Sequence, residues 1–206
     1  MRVLRLVLVL ALVAGMCLTG RAVYLRAKAA LAAVLIRGAW EETLRVGQPQ
    51  RPWPWADTYP VARLRIPRLG YDEIVLEGAT LRTLAFGPAR MRSAAAPGEP
   101  GNLVLAGHRD SWFRRLEDVA RGDRIEVQWR DARGHLRTKF YVVELVSVVA
   151  PEDVTLLAPT AEDALTLLTC YPFGRSPNSP MRYVVRAAPR VSGGLGRSGD
   201  LRTWEF

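Results

Sequence analysis

Leu165-Thr166-Leu167-Leu168-Thr169-Cys170-Tyr171-Pro172-Phe173 is the stretch on which the fold reading turns. Its first half is a short β-prone run, and Pro172 ends it, because proline has no N–H to give a sheet ladder. A cysteine therefore stands at the edge of a strand. The chain has one other cysteine, Cys17, inside an N-terminal apolar run. Cys170 thus has no disulfide partner in the remainder of the chain, and a cysteine-rich zinc site is excluded. A lone strand cysteine is either a small buried hydrophobe or a nucleophile.

Outward from this stretch the chain reads as mainly β. Short β-prone runs cover Val61–Ile66, Ile74–Glu77, Asn102–Ala106, Arg124–Trp129, Thr138–Val149, Ala164–Thr169 and Arg182–Ala187. Turn signals separate them at Arg68-Leu69-Gly70, Pro97 to Gly101, Arg121-Gly122-Asp123 and Asp131 to Gly134. From Val61 onward, helical pattern is confined to Thr80–Leu84 and to Trp112–Val119, where Asp110 or Ser111 suits the N-cap. Seven or eight short strands with little helix predict a barrel or sandwich.

Two more residues share the setting of Cys170. His108 follows the apolar run Leu103-Val104-Leu105-Ala106, and Arg182 opens Tyr183-Val184-Val185. The loop from Tyr171 to Met181 is long enough to return an antiparallel strand, which brings Arg182 beside Cys170. His108 joins them if its strand runs parallel to that of Cys170. The chemistry wants these types. A thiolate is the attacking form and gains from a neighbouring cation. A histidine carries protons to and from an amine, and an arginine is a permanent, forked donor for an oxyanion. Backbone N–H groups after Cys170, or Thr169, can complete that hole. Arg186 shares a strand face with Arg182, so alternation alone does not choose between them. His135 sits in the turn after Asp131 and reads as plain loop.

Thr166-Leu167-Leu168-Thr169-Cys170 resembles the TLxTC signature of sortases. Gly101 to Asp110, Cys170-Tyr171-Pro172-Phe173 and Met181 to Ala187 resemble the blocks around that family's histidine, cysteine and arginine, in the same order and with the same twelve-residue step from Cys170 to Arg182. The likeness spans roughly Val61 to Ala188. The Cys-Tyr-Pro-Phe and Ala-Gly-His-Arg-Asp variants are most similar to class D sortases and the sortases of Gram-negative bacteria. The resemblance implies an eight-stranded β-barrel. It implies cleavage of a C-terminal sorting motif of the Leu-Pro-x-Thr-Gly kind in exported proteins, through a thioester on Cys170, and transfer to an amine acceptor. His108 is then the acid/base and Arg182 the substrate and oxyanion ligand, with Thr169 assisting. No cluster of oxygen ligands suits calcium, so no metal and no cofactor is expected.

The remaining sequence bears on location. Leu6 to Gly20 carries no charge, and apolar character resumes after Arg21. A crossing helix needs roughly 20 residues, so residues 1–25 are read as a signal anchor. An uncleaved anchor is preferred because no small-x-small site lies near Gly20, and Met16 argues against a lipoprotein site at Cys17. A helix from Val23 to about Leu44 and a stiff linker from Gln48 to Pro60, with Trp53, Trp55 and four prolines, make up residues 26–60. The catalytic domain is expected over 61–190 and a loose Gly/Ser-rich tail over 191–206. Arginine and lysine flank the apolar run on both sides, so charge does not set the topology. The chemistry places the domain on the extracytoplasmic side of the cytoplasmic membrane. A net charge of +9 comes without any nucleic-acid-binding motif, and no nucleic-acid partner is expected. Three rivals stand beside this reading. An L,D-transpeptidase wants a Ser-x-Gly-Cys setting and a closer histidine, both missing here. A hydrolytic cysteine peptidase uses the same residues with water as acceptor. A membrane-tethered β-barrel binding module keeps Cys170 as a core residue.

Overall fold

The computed structural model of the chain describes residues 2–174 and 180–190. The tail reading over 191–206, and the middle of the loop after Tyr171, lie outside the described residues. Eight strands close into a barrel: β1 (Pro60–Ile66), β2 (Tyr71–Glu77), β3 (Ala89–Arg90), β4 (Asn102–Ala106), β5 (Arg124–Arg130), β6 (Leu136–Val149), β7 (Ala164–Tyr171) and β8 (Met181–Pro189). Their order around the barrel is β1-β2-β3-β4-β7-β8-β6-β5. Neighbours are antiparallel except β2–β3 and β4–β7, which are parallel.

The alternation of side chains along each strand builds the interior. Leu64 and Ile66 of β1, Leu103 and Leu105 of β4, Leu165 and Leu167 of β7, and Tyr183, Val185 and Ala187 of β8 all point into one core with the fully buried Phe113. Full burial of each such side chain contributes about 1.5–3 kcal/mol. Residues of the opposite parity therefore face out of the barrel.

The N-terminal helix α1 runs unbroken from Arg2 to Val46. The anchor expected over 1–25 and the helix expected from Val23 to about Leu44 lie in this one helix. At the standard rise its length is about 68 Å. It contains a stretch long and apolar enough to cross a membrane, none of it buried. Its C-terminal third behaves differently. Ala32, Ile36, Ala39 and Trp40 recur at helical spacing, are buried, and in part pack on Ile74, Leu76 and Ala89 outside the barrel. Gly47, at φ +90°, ends the helix and returns its N–H to Thr43 O at 3.0 Å. Arg130, at the end of β5, donates to Thr43 O at 2.7 Å and to Leu44 O. Its guanidinium is thereby a cation on the negative end of the helix.

Two local expectations need correction. The segment predicted as helix over 112–119 is a single 3₁₀ turn, Arg114–Asp118, and its first flanking residue, Phe113, makes no side-chain cap. Neither Asp110 nor Ser111 caps it. The chain instead winds back on His108, whose carbonyl accepts from the Phe113 N–H at 2.9 Å. The short helix α2 (Leu81–Leu84) forms as expected, with Thr80 capping the Thr83 N–H at 3.2 Å.

Candidate active site

Three outward-facing positions meet at one rim of the barrel. Cys170 and Arg182 are opposite one another on the penultimate rung of the antiparallel β7–β8 ladder, one pair before Tyr171 and Met181. Both have the parity that faces away from Leu167 and Val185, so their side chains leave the barrel on the same side. On the other flank β4 runs parallel to β7, with Ala106 level with Leu168. The pairing continues past the end of β4: the Gly107 N–H donates to Leu168 O at 3.2 Å. Two residues beyond Ala106 and Leu168 stand His108 and Cys170. His108, Cys170 and Arg182 therefore follow one another across β4, β7 and β8, with neighbouring strands about 4.8 Å apart. The parallel pairing that the juxtaposition required is present. Cys170 is half-buried, not a core residue.

Local chemistry holds this rim in shape. Gly107 is needed because a Cβ there would lie 2.8 Å from the Phe113 ring. Only glycine lets the strand pass this close to a fully buried aromatic. Beneath Cys170 and Arg182, on the inner face, Tyr171, Phe173 and Tyr183 pack on one another, with Phe173 and Tyr183 centroids 4.9 Å apart. Burial pushes the Tyr183 phenol above its ordinary range, so it stays neutral.

Thr169 does not sit where the sequence reading wanted it. Its side chain has inward parity, is 3% exposed, and donates its hydroxyl to Gly107 O at 2.7 Å. The hydroxyl fastens the His108 segment to β7 and is not offered to the outer face. Arg186 also has a separate assignment. It lies opposite Thr166, four residues from the Cys170 rung. Its guanidinium donates to Leu156 O at 2.9 Å and approaches Thr166 Oγ1 at 3.3 Å. Asn102 donates to Leu156 O and Ala158 O at 3.0 and 3.1 Å. Together these bonds clasp the β6–β7 connection onto the outer face at the Thr166 level.

One contributor was not singled out in the sequence. Arg109 is 7% exposed and donates to Pro172 O at 2.6 Å. It ties the segment after His108 to the segment after Cys170. Its place beside the histidine was visible, but nothing in the charge pattern shows where its guanidinium goes. His135 lies where expected, in the β5–β6 turn, with its N–H on Asp131. Among the described residues no three His, Cys, Asp or Glu side chains converge as a metal site.

The arrangement suits a thiol that attacks a carbonyl, with a proton carrier on one side and a fixed cation on the other. The sortase domain family matches residues 64–190. Sortase D of Bacillus subtilis (strain 168) is 30% identical over 123 residues, which are 59% of this chain and 60% of that protein. Sortase A of Corynebacterium diphtheriae superposes with a TM-score of 0.59 at 30% identity, covering 69% of this chain and 66% of that one. In both cases less than two thirds of the relative is spanned. A Clostridium perfringens sortase D5 transpeptidase shares the fold at 21% identity, with a TM-score of 0.63 over 79% of this chain and 99% of its own. With a matching family over most of the barrel, and the barrel itself in the same form, the chain belongs to the sortase family.

Proposed function

We propose that this protein is a cysteine transpeptidase that cuts a sorting motif of the Leu-Pro-x-Thr-Gly kind near the C-terminus of exported proteins and passes the acyl part to an amine. The observation that carries the reading is the shared rim, with Cys170 flanked by Arg182 across an antiparallel rung and by His108 along a parallel one. The Cys170 thiolate attacks the threonine carbonyl carbon and a C–S bond forms. The Arg182 guanidinium holds the negative oxygen of the tetrahedral adduct. The adduct collapses, the C–N bond breaks, and His108 gives its proton to the leaving amine. An acceptor amine then attacks the thioester and yields a proton to His108. The new C–N bond forms as the C–S bond breaks, which restores the Cys170 thiolate beside a protonated His108.

The apolar part of α1 anchors the protein as a single span in the cytoplasmic membrane, with the barrel on the extracytoplasmic side. The continuous helix supports a fixed standoff between membrane and barrel.

Product analysis tests the reading. The full chain in detergent is mixed with a motif peptide, with and without a small amine. Amine-ligated product that disappears in Cys170→Ala supports a transpeptidase. Free acid alone at every amine concentration would make the protein a peptidase. No turnover across motif variants would leave a binding module.

A further inference from the structure

We infer that the barrel rests on the bilayer through a second contact, a cationic, tryptophan-lined cleft between α1 and the linker that takes phospholipid from the same membrane. This rests on the reading of residues 1–25 as the membrane anchor. The cleft has a volume of about 370 Å³ and is lined by Lys28, Leu31, Leu35, Trp53, Trp55 and Arg82, among others. It lies on the outside of the barrel, next to the helix-packing cluster that contains Ile36, Trp40, Trp53 and Phe86.

Its position selects the occupant. Lys28 follows Leu25 by three residues, about 4.5 Å along an α-helix. The headgroup layer on each side of the hydrocarbon core is about 5–8 Å deep. Because α1 continues without a break from the apolar stretch to Val46, the mouth of the cleft stands at headgroup height. The surface there is built for such a layer. Trp55 is 82% exposed, Leu81 (beside Arg82) also 82%, and Leu31 58%. Leu31 and Trp55 line the cleft itself and Leu81 adjoins its Arg82, so exposed apolar side chains gather at one place on the surface. Trp53 is held in place by an edge contact with Phe86, with centroids 5.2 Å apart. Tryptophan prefers the boundary between headgroups and acyl chains. Lys28 and Arg82 sit among them with exposed side chains, although Arg82 also reaches Asp57 at 3.3 Å. Asp57 also lines the cleft and takes one Arg82 nitrogen, so the lining carries two cations against one carboxylate, and this net positive charge beside two tryptophans matches a phosphate above the top of an acyl chain. A protein partner would not need the cleft to lie at this height.

The consequence is geometric. One helix lets the barrel swing about its axis, whereas two contacts fix which way the rim of His108, Cys170 and Arg182 faces.

The test uses the full chain reconstituted in vesicles of phosphatidylcholine and phosphatidylglycerol, with bromine near the top of the acyl chains. Bromolipid is expected to quench tryptophan emission, and Trp55→Phe is expected to lose roughly half or more of that quenching. Since Trp55 is exposed, the variant should fold as the parent does. Lys28→Gln with Arg82→Gln should reduce the quenching further in phosphatidylglycerol than in phosphatidylcholine alone. If Trp55→Phe leaves bromolipid quenching unchanged and Trp55 stays open to aqueous iodide, the contact is overturned. An alkaline carbonate wash separates the two readings. Protein that stays with the vesicles while Trp55 remains in water refutes the cleft alone, and protein that washes off with Trp55 in water refutes the span as well.

Discussion

Arg182 and Arg186 have the same chemistry and the same strand face, so the sequence offers no physical reason to prefer one. Their surroundings separate them. Arg182 shares a rung with Cys170, whereas Arg186 is bonded to Leu156 O and Thr166. Arg182→Ala should lower kcat/KM by about 10²–10³-fold, the usual cost of one oxyanion donor. Arg186→Ala should keep kcat/KM near the parent's and lower the melting temperature, since it removes bonds worth about 1–2 kcal/mol. Steady-state kinetics and thermal unfolding of both variants check the pair, and a fully active Arg182→Ala enzyme would overturn its role. Gly107→Ala is the sharpest structural substitution at the site. Its Cβ has only the immovable Phe113 ring to meet, so it should cost about 1–3 kcal/mol and displace His108. Thr169 shows the limit of reading residues one at a time. The alternation that puts Cys170 outside puts its neighbour inside, and its hydroxyl ends on Gly107.

At the level of elements, β4, β7 and β8 were legible because each is a compact apolar run closed by a turn signal, and the three chemical residues stand at their ends. The parallel register of β4 and β7 was not legible, because it is set by the path of the intervening elements around the barrel. Nor was β3, which has two residues and too few positions to show alternation. The charges at Arg21, Arg26 and Lys28 interrupt no backbone hydrogen bond, so α1 runs through them. Arg109 escaped because its partner is a carbonyl, which sequence does not mark. As the tie between two loops, Arg109→Ala should reduce kcat/KM about tenfold through misplacement while Cys170 still alkylates freely. Equal loss of both would make Arg109 a stability residue only. Arg130 is the matching tie for α1. Arg130→Ala should expose the helix end and cost about 1–2 kcal/mol, seen as faster hydrogen exchange over residues 39–47. Unchanged exchange there would refute the cap.

For the whole molecule, paired carboxylates set the acid limit. Hydrogen bonds from Arg63, Arg68 and Lys139 hold Asp72, Asp123 and Asp163 below the ordinary carboxylate range. The Arg68–Asp123 pair, at 2.5 Å, joins positions 55 residues apart. In the unfolded chain these groups titrate near 3.9. Their stabilisation is therefore complete above about pH 4 to 5 and is lost as pH falls through the lower folded values. Burial raises Glu73 instead, which offsets part of that loss. The melting temperature should be level from neutral pH to about 4.5 and then decline, with a shallower decline in Asp123→Asn. An unaltered slope in that variant would remove Asp123 from the account. The central claim is that one rim of this barrel forms a covalent acyl-enzyme on Cys170, and intact-mass measurement of the full chain with a Leu-Pro-x-Thr-Gly peptide tests it most directly. The account predicts a mass gain equal to the acyl segment ending in threonine, located on the peptide that contains Cys170 and released by hydroxylamine. An adduct that persists in Cys170→Ala, or a freely alkylating Cys170 that never acylates across a panel of motif peptides, would contradict it.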